Sequence, residues 1–187
     1  MATLRQLDTE KEALVVQLLG EAIDLIELIA DSFPQKGTGY FMESLFLSLR
    51  QMGYFFTERS SPLKSQFGAL SAQEVDVAER IKTIRDAIGH RESDKNFAKP
   101  RLKIVGGMIF KNGDVELQYG KTSLFLLRDV ISNYRRYRGL FRAAPELANL
   151  SLHPMWEMGE IRLAEANKIL SEKLNKNDIS ELLRGSR

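Results

Sequence analysis

The stretch SAQEVDVAERIKTIRDAIGH, residues 71–90, decides how the chain is read. It opens on Ser71 with Glu74 three places later, a capping box in which the hydroxyl satisfies a free backbone N–H and the carboxylate reaches back. Val77, Ile81, Ile84 and Ile88 then recur at helical spacing, and Gly89 with His90 closes the run, so the pattern predicts an amphipathic helix over 72–89. Arg85 lies at the edge of the apolar stripe, with Thr83, Asp86 and His90 opposite it. The polar groups therefore stand on or beside a surface that faces a cleft or a second subunit. Arginine is a permanently charged fork that fits a phosphate, and histidine, with an unperturbed pKa of about 6.5, exchanges protons near neutrality. Residues five apart sit roughly 140° around a helix, so Arg85 and His90 do not face each other as a bonded pair would. Either the helix unwinds at Gly89 and turns His90 back, or a second copy of the chain completes the site. Asp86, four residues before His90 on the same face, could accept the imidazole N–H and fix its tautomer. The alternative is architectural: His90 caps the last carbonyls and Arg85 pairs with Glu79 or a neighbouring helix.

Working outward, the chain reads as helices. Residues 8–33 form a long one, with Leu14, Leu18, Leu25 and Ile29 on a wide apolar face and Pro34 and Gly37 ending it. Glu10, Glu21, Asp24, Glu27 and Asp31 fall near one of its faces. Carboxylates at such spacing could hold a divalent cation, but no histidine or glycine loop accompanies them, and a solvated acidic face is the better reading. A second helix over 39–58 carries Phe41, Leu45, Phe46, Leu49, Met52, Phe55 and Phe56 almost all round, which demands cover on most sides; core packing, rather than base stacking, is the expectation for these aromatics.

After His90 comes the one convincing β signal. Leu102, Ile104 and Val105, then Met108, Ile109 and Phe110, lead into Lys111-Asn112-Gly113-Asp114, and Val115, Leu117 and Tyr119 alternate beyond it, so a β-hairpin is expected over 102–119. Gly106-Gly107 lacks the Gly-Lys-Ser/Thr of a phosphate loop. A fourth helix is predicted over 122–143, with Leu126, Leu127, Val130, Tyr134, Tyr137 and Phe141 buried. Arg128, Arg135, Arg138 and Arg142 fall within about 80° of one another on another face, with Arg136 outside that arc. Four guanidinium groups along roughly 20 Å of helix match the footprint expected for tracking an RNA backbone, the alternative being a surface row paired with acids of adjacent helices. His153 sits in the connector before a fifth helix over 155–174, apolar at Ile161, Leu163, Ala164, Ile169 and Leu170, and has no partner at diagnostic spacing. The tail 178–187 offers one short apolar stripe.

Composition bounds the rest. With 187 residues the chain is most simply one domain, 1–187, able to bury roughly 70% of its unfolded surface. No cysteine means no disulfide and no thiolate metal site, which suits a reducing compartment. A charged N-terminus without an apolar run argues against export, and no stretch reaches the roughly 20 apolar residues of a membrane span, so a cytoplasmic protein is expected. A net charge of +2 gives no whole-molecule attraction for nucleic acid, so such binding needs a local patch. The fold expected is mainly α: an up-and-down bundle of about five helices with one β-hairpin inserted between the third and fourth.

Arg85, Asp86, Ala87, Ile88, Gly89 and His90, at the close of an amphipathic helix in a helical chain, resemble the R-x(4-6)-H signature of the HEPN superfamily. The resemblance extends over residues 8–143 and is specific at the level of the motif. It implies a helical bundle, a homodimer, and metal-independent endoribonuclease activity at a composite site, with no cofactor. Under it, His90 would move the proton of the RNA 2′-hydroxyl or protonate the leaving oxygen, Arg85 would hold the scissile phosphate, and Asp86 would orient His90. It also implies roles common among HEPN proteins, in toxin–antitoxin or antiviral defence with an inhibitor protein as partner. The hairpin departs from the simplest version of that bundle. A non-catalytic RNA-binding or protein-interaction module is the alternative, and a helical scaffold unrelated to the family a third.

Overall fold

The computed structural model describes residues 9–35, 38–57, 70–89, 107–111, 113–119, 121–144 and 155–175. Its centre is α1 (Thr9–Ser32), which packs against α2 (Thr38–Thr57) on one side and α5 (Met155–Asn175) on another, while α2 also meets α3 (Ala72–Gly89). The fourth helix, α4 (Ser132–Ala143), lies against α2 and α3. The chain is mainly helical, with five helices among the described residues and a β-hairpin between α3 and α4, as its sequence predicts.

Burial explains the arrangement. Along α1 and the residue that follows it, Val15, Leu19, Ala22, Ile26, Ile29 and Phe33 alternate at spacings of four and three and are all buried, with Leu18 and Ile23 beside them. Leu14, expected on this face, is 42% exposed, because it stands one step around the helix from the stripe that Val15 begins. The end of α1 is fixed by Lys173 of α5, whose Nζ donates to the carbonyls of Ala30 (2.6 Å) and Asp31 (2.8 Å), a cation on the orphan acceptors of a helix C-terminus. Phe46 and Phe56 of α2 are core and Phe41 and Phe55 pack against it, whereas Tyr40 and Tyr54 are exposed: Phe56 lies 4.7 Å from the ring of Phe141, and Phe46 meets Tyr119 edge-on at 5.5 Å. On α5 the buried face is Trp156, Leu163, Ala166, Leu170 and Leu174, whereas Ile161 is 62% exposed. Leu163 and Leu170 are buried and Ile169 packs on the core as expected, while Ile161 and Ala164 are exposed, because the buried face follows the side turned to α1.

The capping box forms: the Ser71 N–H donates to Glu74 Oε2 (2.6 Å) and the Glu74 N–H to Ser71 Oγ (3.3 Å). Strands β1 (Gly107–Lys111) and β2 (Asp114–Tyr119) pair antiparallel, with Lys111 opposite Asp114 across a two-residue loop in which Gly113 takes φ +74°, a conformation glycine reaches without a Cβ clash. One boundary differs. Residues expected to start the fourth helix form a third strand, β3 (Thr122–Phe125), paired antiparallel with β2 so that Leu117 faces Leu124. The free edge of β2 offers backbone partners, and β-branched Thr122 and the buried Leu124 suit an extended chain better than a helix start. A π-helical turn (Leu126–Ile131) then leads into α4. His90, the segment 91–106, His153 and the tail 178–187 lie outside the described residues, as does the side chain of Ile88.

Candidate nucleic-acid interface

The motif arginine stands one turn before the end of α3. Arg85 is 31% exposed and donates from Nη1 to Asp86 Oδ1 at 3.1 Å, rather than to Glu79, which accepts from Lys82 (3.2 Å). Asp86 is 40% exposed, so both polar groups stand at the surface while Ile81 and Ile84 point inward. His90, the group that Asp86 would orient, is among the residues not described.

The arginine row does not lie on one face. Arg128, Arg135 and Arg142 are exposed, but Arg138 is 1% exposed and belongs to the core. Its Nε donates to Glu160 (3.0 Å), Nη1 to the Tyr134 hydroxyl (3.3 Å) and Nη2 to the carbonyl of Trp156 (2.9 Å), with the guanidinium 4.5 Å from the Trp156 ring. Tyr134 in turn donates to the Leu19 carbonyl (2.8 Å). Gly159 makes room for this: a Cβ there would stand 2.8 Å from both Arg138 Nη1 and Ile23 Cδ1. Arg138 is thus withdrawn from any RNA track. It lies at the limit of the 80° arc, four residues after Tyr134 and three before Phe141, both buried, and the room left by Gly159 with the partners Glu160 and Tyr134 decides its burial. Arg136, outside the arc, pairs with Glu74 at 3.0 Å and ties α4 to the start of α3.

Arg128 and Arg135 share a groove of about 760 Å³ between the hairpin turn, the π turn and α5. The guanidinium of Arg128 lies 4.0 Å from the centre of the Phe125 ring, 57% exposed, and its Nε donates to Asp129 Oδ1 at 3.1 Å. Asp129 is itself buried and accepts the Phe125 N–H (2.8 Å). Arg135 reaches across to Asn167 of α5; since a guanidinium only donates, the carboxamide turns its oxygen to Nη1 (3.3 Å) and Nη2. Ser132 and Ser171 line the same groove. Neither the Phe125 platform nor the Asn167 contact is legible in the sequence: the first depends on the strand that replaces the helix start, the second on a contact between helices. A smaller cleft of about 330 Å³ lies on the other side of Arg128, beside Glu74, Asp129 and Asn133.

Charge neighbours set the electrostatics. The Asp129 hydrogen bond raises the Arg128 pKa still further. For Glu74, burial favours the neutral acid, but the Ser71 N–H and hydroxyl and the Arg136 charge together outweigh it and lower the pKa. On the acidic face of α1, Asp24 (2.6 Å to Arg162 Nη2) and Glu27 (2.7 Å to Arg162 Nε) engage one arginine of α5, which raises its pKa, so these two carboxylates serve a bridge between helices. Among the described residues no three His, Asp or Glu side chains come together as a metal site. No described helix is long and apolar enough to cross a membrane. No family model, curated protein or solved structure significantly matches the chain.

Proposed function

We propose that this chain is a metal-independent endoribonuclease of the HEPN type, acting as a homodimer in which Arg85 and His90 of two copies form one site. The observation that carries the reading is the position of Arg85: in the last turns of α3, 31% exposed and, among the described residues, bonded to the adjacent Asp86 and not to Glu79. In the proposed reaction the 2′-hydroxyl oxygen of one ribose attacks the adjoining phosphorus and the bond to the following 5′-oxygen breaks. One His90 takes the 2′-proton and the His90 of the second copy supplies a proton to the leaving oxygen, giving 2′,3′-cyclic phosphate and 5′-hydroxyl ends. Arg85 donates to the phosphate oxygens as their charge increases. A cytoplasmic location, a place in toxin–antitoxin or antiviral defence and an inhibitor protein covering the site belong to the same reading.

The test is incubation of the full chain with a mixed RNA pool in EDTA, with fragment ends identified chemically. Wild type gives cyclic-phosphate ends, and Arg85→Ala and His90→Ala each cut at least about a hundredfold more slowly with their folds intact. Undiminished cutting by both variants rejects the site. A second reading, RNA binding without chemistry, is favoured by a separate observation: Arg128 and Arg135 stand exposed in one polar groove. Under it, RNA is retained in a salt-dependent way and recovered whole.

A further inference from the structure

We infer that the groove between the hairpin turn, the π turn and α5 takes one nucleotide of single-stranded RNA, its base stacked on Arg128 and its phosphate held by Arg135. The inference rests on the RNA-directed reading above and not on chemistry at Arg85 and His90.

The two arginines have different surroundings, and the difference gives them different tasks. Arg128 is a flat surface before it is a charge. One face of its guanidinium rests on the Phe125 ring at 4.0 Å, and one edge is bonded to Asp129, a carboxylate 2% exposed that is itself fixed by the Phe125 N–H. The plane is thereby locked while the side chain stays 57% exposed. Its charge is largely answered by Asp129, and Asp114 and Glu116 also act on it. A phosphate brought here would meet three carboxylates. A nucleobase meets instead an open, polarised plane backed by an aromatic ring, the arrangement on which unpaired bases stack.

Arg135 is the reverse. It is exposed and held by Asn167, a neutral carboxamide that orients the fork and leaves the positive charge whole. A phosphate in the same groove is its natural counter-ion, and the Ser132 and Ser171 hydroxyls add donors for ribose or phosphate oxygens. The volume of about 760 Å³ is ample for a nucleotide. A duplex, whose bases are stacked on each other, cannot present a free face to Arg128. Along α3, Glu74 beside this region and the motif's Arg85 are eleven residues apart, roughly 16 Å of helix axis or about five stacked nucleotides. One strand of ten nucleotides is therefore long enough to test the groove.

The test uses the full chain carrying His90→Ala, so that RNA stays whole, and three probes: a ten-residue oligoadenylate bearing one 2-aminopurine, an RNA duplex of equal length, and inorganic polyphosphate. The single strand binds with quenched 2-aminopurine emission, and the duplex binds at least about tenfold more weakly. Adding Arg128→Lys, which keeps the charge and removes the plane, weakens the single strand roughly tenfold and abolishes quenching, with polyphosphate affinity unchanged. Adding Arg135→Gln weakens single strand and polyphosphate alike and lowers the salt slope by about one. Equal quenching and affinity with and without Arg128→Lys overturns the inference, as does an oligoadenylate that fails to bind the His90→Ala chain. Uncut RNA with wild type alongside normal quenching rejects the nuclease reading and leaves the groove standing.

Discussion

Arg138 shows how much depends on which way one side chain points. Replacing it with alanine opens a cavity beside Trp156, strips the Trp156 carbonyl of its donor and leaves Glu160 without its partner. The expected cost is about 2–4 kcal/mol, read from the midpoint of urea unfolding. Arg142→Ala, at an exposed position 5.9 Å from the same indole, should cost less than about 1 kcal/mol. Equal costs for the two would mean that Arg138 is not the buried member. A helical projection puts the two arginines about 40° apart, too little to tell core from surface. What separates them is tertiary: Gly159 gives Arg138 room to pass, and Glu160 and Tyr134 give it partners. The acidic face of α1 was legible in its location but not in its use, since Arg162 is 135 residues from Glu27 in the chain.

At the level of elements, the junction of strand and helix is held by two aspartates. Phe125, which precedes the π turn, brings no capping side chain of its own. Asp114 of β2 supplies the cap from outside: its carboxylate accepts the N–H groups of Leu127 (2.9 Å) and Arg128 (3.0 Å) as well as that of Val115 (2.7 Å). Asp114→Ala should therefore cost about 1–2 kcal/mol and speed hydrogen exchange at the Leu127 and Arg128 amides about tenfold or more, while Asp114→Asn, which keeps an acceptor, retains part of the protection. Unchanged exchange in Asp114→Ala would show that the cap is idle. The helices themselves were legible because long apolar stripes at three- and four-residue spacing leave few other folds to bury them. Strand β3 was not. It has four residues, and the apolar run Leu124–Leu127 continues from it without a period of its own, so strand and helix look alike until the edge of β2 is there to pair with.

At the scale of the molecule, three tyrosines fasten the bundle and make it sensitive to alkali. Burial raises the pKa of Tyr119, aided by the Glu43 charge; it also raises that of Tyr134, against the opposing pull of Arg138, and that of Tyr137. A raised folded pKa means that the stabilisation is complete below the unfolded value of about 10 and is lost as pH rises through the interval above it, where the unfolded chain has released protons that the folded one keeps. The three together should steepen the loss of stability above pH 10 by up to about 4 kcal/mol per pH unit. Tyr119→Phe should remove about a third of that slope, measured by urea unfolding between pH 9 and about 11. An unaltered slope would place the alkaline sensitivity elsewhere. The π turn carries a consequence at this scale too. Each of its hydrogen bonds spans one residue more than in an α-helix, so the segment 126–131 has the form of a helix holding one surplus residue. Taking one residue out between Arg128 and Ser132 would rotate Arg128 by up to about 100° relative to Arg135. In genetic terms, the loss of a single codon between Arg128 and Ser132 would decide whether the two arginines share a groove.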